Sequence, residues 1–171
     1  MADSAIDPLQ FREVLGHFPT GVTVITACTT EGEPVGFTIG SFSSVSLDPP
    51  LVGFLPMILS DRWPDIRDAG VFCVNVLGAD QSELCWRFAR KSVEEPFDGV
   101  AWRRSATTGS PILEGAIAWI DCAIADVVEA GDHFFVTGRV LQLEHAVAES
   151  APAPLLFYRG KLGEFAEHEA S

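Results

Sequence analysis

The sequence predicts a mainly β, α+β fold in which an antiparallel sheet curls into a barrel and three short helices are spaced among the strands. Three observations carry this prediction. Apolar runs rich in β-branched residues recur along the chain, and several are joined in pairs by short turns containing Gly and acidic residues. The helical segments do not alternate one for one with strands, as a doubly wound parallel sheet would require.

Taken in order, Asp7 followed by Pro8 is a helix start, an N-cap acceptor before a residue whose φ is already helical. Leu9, Phe11, Val14 and Leu15 then supply an apolar face, and Gly16 stops it. Residues 22–29 read as a strand, turned by Glu31, Gly32 and Glu33 into a second strand from Val35. Residues 51–55, between prolines at 49, 50 and 56, form a short buried strand. Ser60, Asp61 and Pro64 then open a helix towards Ala69, which Gly70 ends. A strand over 71–77 follows, then a helix capped by Asp80 and running through Ala89, then a charged loop over 91–99. Residues 116–128 and 133–143 form a hairpin around a turn at 129–132, and Leu155–Tyr158 is the last strand.

At 171 residues, 47% of them hydrophobic, the chain has apolar material for one core, so residues 1–171 read as one domain. Its core spans about 8–162 and a polar tail follows over 163–171. Eleven basic against 24 acidic side chains leave a net charge of −13, which repels nucleic acid and anionic membrane surfaces. No apolar run reaches the roughly 18 residues of a membrane span. The polar start MADSAIDPLQ has no leader pattern, and Cys28, Cys73, Cys85 and Cys122 form no CxxC pair, so a reduced, cytoplasmic setting is expected.

Familiar signatures are missing. There is no GxGxxG turn, no GxxxxGK phosphate loop and no GxSxG elbow, and His17, His133, His145 and His168 stand apart from any nucleophile or metal-ligand partner. The segment 36–52, GFTIGSFSSVSLDPPLV, is unusual: Thr38, Ser41, Ser43, Ser44 and Ser46 crowd around Gly36 and Gly40. It can present backbone NH groups and hydroxyls to a phosphate or a ring edge. The same composition also fits a strand with a polar outer face ending in a turn at Asp48, Pro49 and Pro50. An anionic ligand would need local cations, for which Arg87, Arg90, Lys91, Arg103 and Arg104 are the candidates.

Five blocks in order, FREVLGHFPTGVTVITA, GFTIGSFSSVSLDPPLV, FCVNVLGADQSELCWRFA, GSPILEGAIAWIDCAIADVVEAGDHFFVTGRV and PLLFYRG, resemble the flavin reductase family between residues 11 and 160. These are the small reductase components of two-component flavin-dependent monooxygenases, and the likeness extends to reductases serving aromatic-ring and steroid-ring hydroxylases. The resemblance implies an FMN-binding split β-barrel that forms a homodimer, uses NADH in preference to NADPH, reduces FMN or FAD and supplies it to a partner monooxygenase. It also implies roles. Thr38, Ile39, Gly40 and Ser41 would line the flavin, with Ser43 and Ser44 at the isoalloxazine edge or ribityl chain and Ser60 and Trp63 near the ribityl phosphate. Phe88, Ala89, Arg90 and Lys91 would be further flavin contacts, although Phe88 equally suits core packing. His133, in the GDH motif, would lie beside the nicotinamide, with Phe157, Tyr158, Arg159 and Gly160 on the rest of that nucleotide. The alternatives on the same barrel are a pyridoxamine-phosphate oxidase-like or cobalamin reductase activity, a reductase that keeps its flavin, and a non-enzymatic flavin carrier.

Overall fold

A computed structural model describes residues 6–146 and 152–167. Helix α1 (Pro8–Leu15) starts as its cap dictates, with the Leu9 amide donating to Asp7 Oδ1 at 3.0 Å. Strands β1 (Thr20–Gly21), β2 (Thr23–Cys28), β3 (Pro34–Ile39), β4 (Ser43–Leu47) and β5 (Pro50–Phe54) follow before helix α2 (Trp63–Ala69). Strand β6 (Val71–Val76) leads through a 3-10 turn to helix α3 (Ser82–Ala89). The remaining strands are β7 (Trp102–Arg104), β8 (Pro111–Leu113), β9 (Ala118–Ala130), β10 (His133–His145), β11 (Leu155–Tyr158) and β12 (Lys161–Glu164).

Seven strands form the main sheet in the order β3-β2-β6-β9-β10-β5-β4, every pair antiparallel. Its two edge strands, β3 and β4, are consecutive in the chain and joined only by residues 40–42. Such a link spans at most about 14 Å from Ile39 to Ser43, so the sheet must bend until its first and last strands lie side by side. The ladder is interrupted between them, which makes the predicted barrel a split one. Ser41 reaches across the split, accepting from the Leu55 amide at 3.0 Å and donating to the Leu55 carbonyl at 3.4 Å.

The barrel interior is aromatic. Phe54 meets Phe72 edge-on at 5.1 Å, Trp63 at 6.0 Å and Phe37 at 6.4 Å between ring centres, and Trp63 with Ile66 plugs one opening from α2. Gly138 is required by this packing, since a Cβ there would stand 2.3 Å from Phe72 Cζ. A second cluster, including Val22, Leu77, Cys85, Phe88 and Leu155, seats α3 against the barrel wall. The buried Asn75 amide is satisfied by the Val24 and Pro111 carbonyls and Thr26 Oγ1, while its Oδ1 accepts from the Leu113 amide at 2.8 Å.

Three predicted details change. Asp80 does not cap α3: a 3-10 turn at Ala79–Gln81 intervenes, held by the Gly78 amide donating to Gln81 Oε1 at 3.1 Å. Helix α2 begins at Trp63 rather than near Ser60, because the Ser60 amide is committed to a turn with the Met57 carbonyl at 3.0 Å. Residues 163 and 164 of the predicted tail belong to β12, which pairs with β11; residues 168–171 of that tail, including His168, lie outside the described residues. The short strands β7, β8 and β12 carry too few residues for an alternation signal, so only pairing reveals them.

Candidate active-site cleft

A cleft of about 720 Å³ opens beside the split. One wall is the end of β3 and its exit, residues 38–41; the facing walls are α3, the chain from 55 to 62, and the start of the loop after α3. Thr38 ties two walls together, its hydroxyl donating to the Cys85 carbonyl at 2.7 Å. Segment 56–58 is anchored to the β9–β10 turn, with Ile58 N–H donating to the Asp132 carbonyl at 3.0 Å and Phe134 N–H to the Pro56 carbonyl at 2.9 Å. That turn has two residues, Gly131 and Asp132, with Gly131 at φ +68°, which favours glycine. The pinned turn presents His133 to the cleft.

Charge in the cleft is arranged by few residues. His133 Nδ1 lies 2.7 Å from Asp132 Oδ1, and this hydrogen bond, followed by the imidazole's charge, holds the Asp132 carboxyl below the usual carboxylate range. An ionised carboxylate can only accept, so Nδ1 carries the proton and Nε2 is the nitrogen left for a ligand. Arg62 is bound to the protein itself: its guanidinium donates to the Gly36 carbonyl at 3.3 Å, the Phe88 carbonyl at 3.2 Å and the Val93 carbonyl. Burial lowers its pKa, against the neighbouring charge of Asp61. Lys91 Nζ sits 3.8 Å from Asp61 Oδ2.

Of the residues singled out in the sequence, Thr38, Ile39, Gly40, Ser41, Ser60, Phe88, Ala89, Lys91, His133 and Phe157 all line this one cleft. Phe88 also packs edge-on against Phe97 at 4.9 Å and is buried, as the core reading expects. Others lie elsewhere. Ser43 and Ser44 are exposed on β4, and Arg90 is exposed beyond the end of α3; none of the three is in the cleft lining. Trp63 is buried in the core, between Phe54 and Phe134. Tyr158 and Arg159 face a second hollow beside Lys161, since strand alternation turns Tyr158 away from Phe157. Arg159 and Gly160 form the β11–β12 turn, both with positive φ.

Of the other candidate cations, Arg87 donates to the Pro96 carbonyl at 2.8 Å, Arg103 stacks over Trp119 at 5.5 Å and Arg104 over Trp102 at 5.8 Å. Sequence reasoning missed Asp61, Arg62, Trp86 and Glu94, all of which line the cleft. Only the partners across the fold distinguish them from surface charges and core aromatics, so no spacing signal marks them.

Comparison with known proteins now bears on this geometry. Residues 15–166 match the family described as "Flavin reductase like domain". The chain belongs to the flavin reductase family. It is 53% identical to a flavin reductase of Pseudomonas putida over 95% of this chain and 93% of that one. It is 50% identical to HsaB, the reductase subunit of a flavin-dependent monooxygenase of Mycobacterium tuberculosis, over 91% of this chain and 81% of that protein. Among solved structures, nitrilotriacetate monooxygenase component B of Mycobacterium thermoresistibile superposes with a TM-score of 0.90 at 46% identity, covering 98% of this chain and 93% of that one. The NADH:FAD oxidoreductase SgcE6 of Streptomyces globisporus, in complex with NAD and FAD fragments, gives 0.85 at 38% identity over 94% and 93% of the two chains.

The cleft of this flavin reductase-family chain fits a flavin by its own chemistry. Its volume lies within the range of small-molecule sites. Phe37, Leu55, Met57 and Trp86 give the cleft apolar wall, residues 38–41 and Ser60 give it polar groups, and Lys91 gives it a cation, a set that would suit a flat ring carrying a phosphate.

Proposed function

We propose that this protein is an NAD(P)H-dependent flavin reductase that passes a hydride from NADH to FMN or FAD and supplies the reduced flavin to a partner monooxygenase. One observation carries the assignment of roles: five separate chain segments, contributing residues 38–41, 60, 88, 89 and 91, 133 and 157, converge on a single cleft. When bound, the flavin supplies the hydride acceptor and the nicotinamide the donor, so the protein needs no nucleophile of its own. Its residues position and enclose. Backbone at 38–41 holds the ring edge, Ser60 and Lys91 hold the phosphate, and the apolar walls exclude water. His133, oriented by Asp132, turns Nε2 towards the carboxamide of the nicotinamide, which has both a donor and an acceptor to meet it. Phe157 closes the side of the cleft nearest β11.

The roles of the remaining family positions rest on the resemblance. Ser43, Ser44 and Arg90 act from outside the cleft lining, Trp63 supports the phosphate end only through the core behind α2, and Tyr158 and Arg159 in the neighbouring hollow, with Gly160 in the adjoining turn, hold the far end of the nicotinamide nucleotide. Mixing the purified protein with NADH and catalytic flavin should consume NADH; flavin binding without NADH turnover would overturn the reductase reading. In the same assay His133→Ala should raise the Michaelis constant for NADH roughly tenfold while turnover falls by less than about threefold, the pattern of lost ground-state binding. Complete inactivity of a folded His133→Ala variant would assign His133 a chemical role instead.

A homodimer in the cytoplasm completes the proposal. Helix α1 buries none of its side chains and leaves Leu9, Phe11, Val14 and Leu15 exposed, an apolar face that a second copy would cover. A sedimentation mass of one chain would refute this. No described helix is long and apolar enough to cross a membrane, and Cys73, Cys85 and Cys122 are free and buried. Recovery in the membrane or periplasmic fraction of the source cells would contradict the cytoplasmic setting.

A further inference from the structure

We propose that Asp61 is a specificity-determining residue that competes with the flavin phosphate for Lys91, weakening the hold of the cleft on phosphorylated flavins. This inference rests on the reading of the cleft as the flavin site. Among the described residues lining the cleft, Arg62 and Lys91 carry the full cationic side chains, and the guanidinium of Arg62 is committed to three backbone carbonyls. Lys91, 72% exposed, is therefore the cleft cation most accessible to an anion. Its Nζ stands 3.8 Å from Asp61 Oδ2 and donates to the Leu59 carbonyl at 3.5 Å, so without a ligand it already has an acidic partner inside the same cleft.

Both side chains are largely exposed, 72% for Lys91 and 83% for Asp61, so the pair is weak and opens easily. A phosphate binding at Lys91 must displace the Asp61 carboxylate from the same ammonium group, so part of the attraction between Lys91 and the phosphate is offset by the ion pair that is given up. Asp61 thus subtracts affinity from any flavin that carries a phosphate and leaves one without a phosphate untouched. When the flavin departs, Asp61 recaptures Lys91. For a protein whose product must leave for another enzyme, a self-competing anchor of this kind favours release over retention.

The test is a set of fluorescence-quenching titrations with FMN and with riboflavin, on the wild-type protein, Asp61→Asn, Lys91→Gln and the double variant. Both positions are exposed, so the fold is not at stake. Asp61→Asn should tighten FMN about fivefold and leave riboflavin within about twofold. Lys91→Gln should weaken FMN by a similar factor without moving riboflavin, and on that background Asp61→Asn should shift FMN by less than about twofold. An unchanged ratio of FMN to riboflavin affinity in Asp61→Asn, with Lys91→Gln still weakening FMN, overturns the competition and leaves the flavin site intact. An Asp61→Asn effect of undiminished size on the Lys91→Gln background also overturns it, since Asp61 would then act without Lys91. Unchanged FMN affinity in Lys91→Gln overturns the proposal by removing its anchor, and absence of binding by both flavins in the wild type overturns the flavin-site reading itself.

Discussion

Replacing Arg62 by Met is expected to weaken flavin binding by about tenfold or more and to destabilise the protein by about 2–4 kcal/mol, although Met fills much of the same volume. The guanidinium joins three pieces of backbone: Gly36 in β3, Phe88 in α3 and Val93 in the loop beyond it. Hydrogen bonds from a charged donor are each stronger than neutral ones, and removing the donor strands three carbonyls in a partly buried place. Two cleft walls then keep the Thr38–Cys85 hydrogen bond but lose the ties through Arg62. Arg62→Lys keeps the charge but cannot fork to three acceptors, so it should fall between wild type and Arg62→Met. Denaturant unfolding gives the stability change, and quenching of flavin fluorescence gives the affinity. Wild-type flavin affinity in Arg62→Met would show that the tie does not shape the cleft.

Phe54→Ala should cost about 3–5 kcal/mol, the range for removing a buried aromatic ring that its neighbours cannot replace. Phe54 is fully buried at the end of β5, where rings of β3, α2 and β6 converge on it. Those neighbours come from different elements of a curled sheet, so none can move into the void without dragging its own strand or helix. Urea unfolding with an unchanged m-value measures the loss directly. A cost below about 1.5 kcal/mol would mean that the barrel collapses onto the vacancy and that its interior is less rigid than the packing indicates. Because Phe54 immediately precedes the cleft-lining chain from Leu55, flavin affinity should fall as well.

Much of the secondary structure was legible in local pattern. Asp7 and Pro8 marked a helix start, and the β-branched run before Glu31 marked β2. A hairpin with its turn at 129–132 followed from two long apolar runs with an acidic break; the helix start, β2 and the hairpin all appear in the structure, with the turn narrowed to Gly131 and Asp132 because Glu129 and Ala130 pair within β9. The order of blocks was enough to mark the family, and the family match covers residues 15–166. Where local reading failed, a longer-range partner had intervened. Gln81 folds back onto the Gly78 amide and delays α3, and the Met57 carbonyl takes the Ser60 amide and delays α2. Strand β12 exists because β11 pairs with it, not because its own residues alternate.

The candidate site divides along the same line. By itself the sequence determined an acidic, β-rich chain, the hydroxyl-rich stretch around Gly40, the position of His133 at the start of a hairpin strand, and the family to which these belong. Only the tertiary structure decided which of those residues share a cleft. It placed Thr38 and Ser41 inside and Ser43 and Ser44 on an exposed edge strand, and it turned Phe157 and Tyr158 to opposite faces of β11. It also assigned Arg62 to backbone carbonyls and left Lys91 beside Asp61. The physical reason is range. Turn chemistry, caps and strand alternation act within a few residues and leave a readable trace, whereas the partner of a cation or the face of a strand is settled by segments dozens of residues away, once the sheet has curled and brought its two edges together.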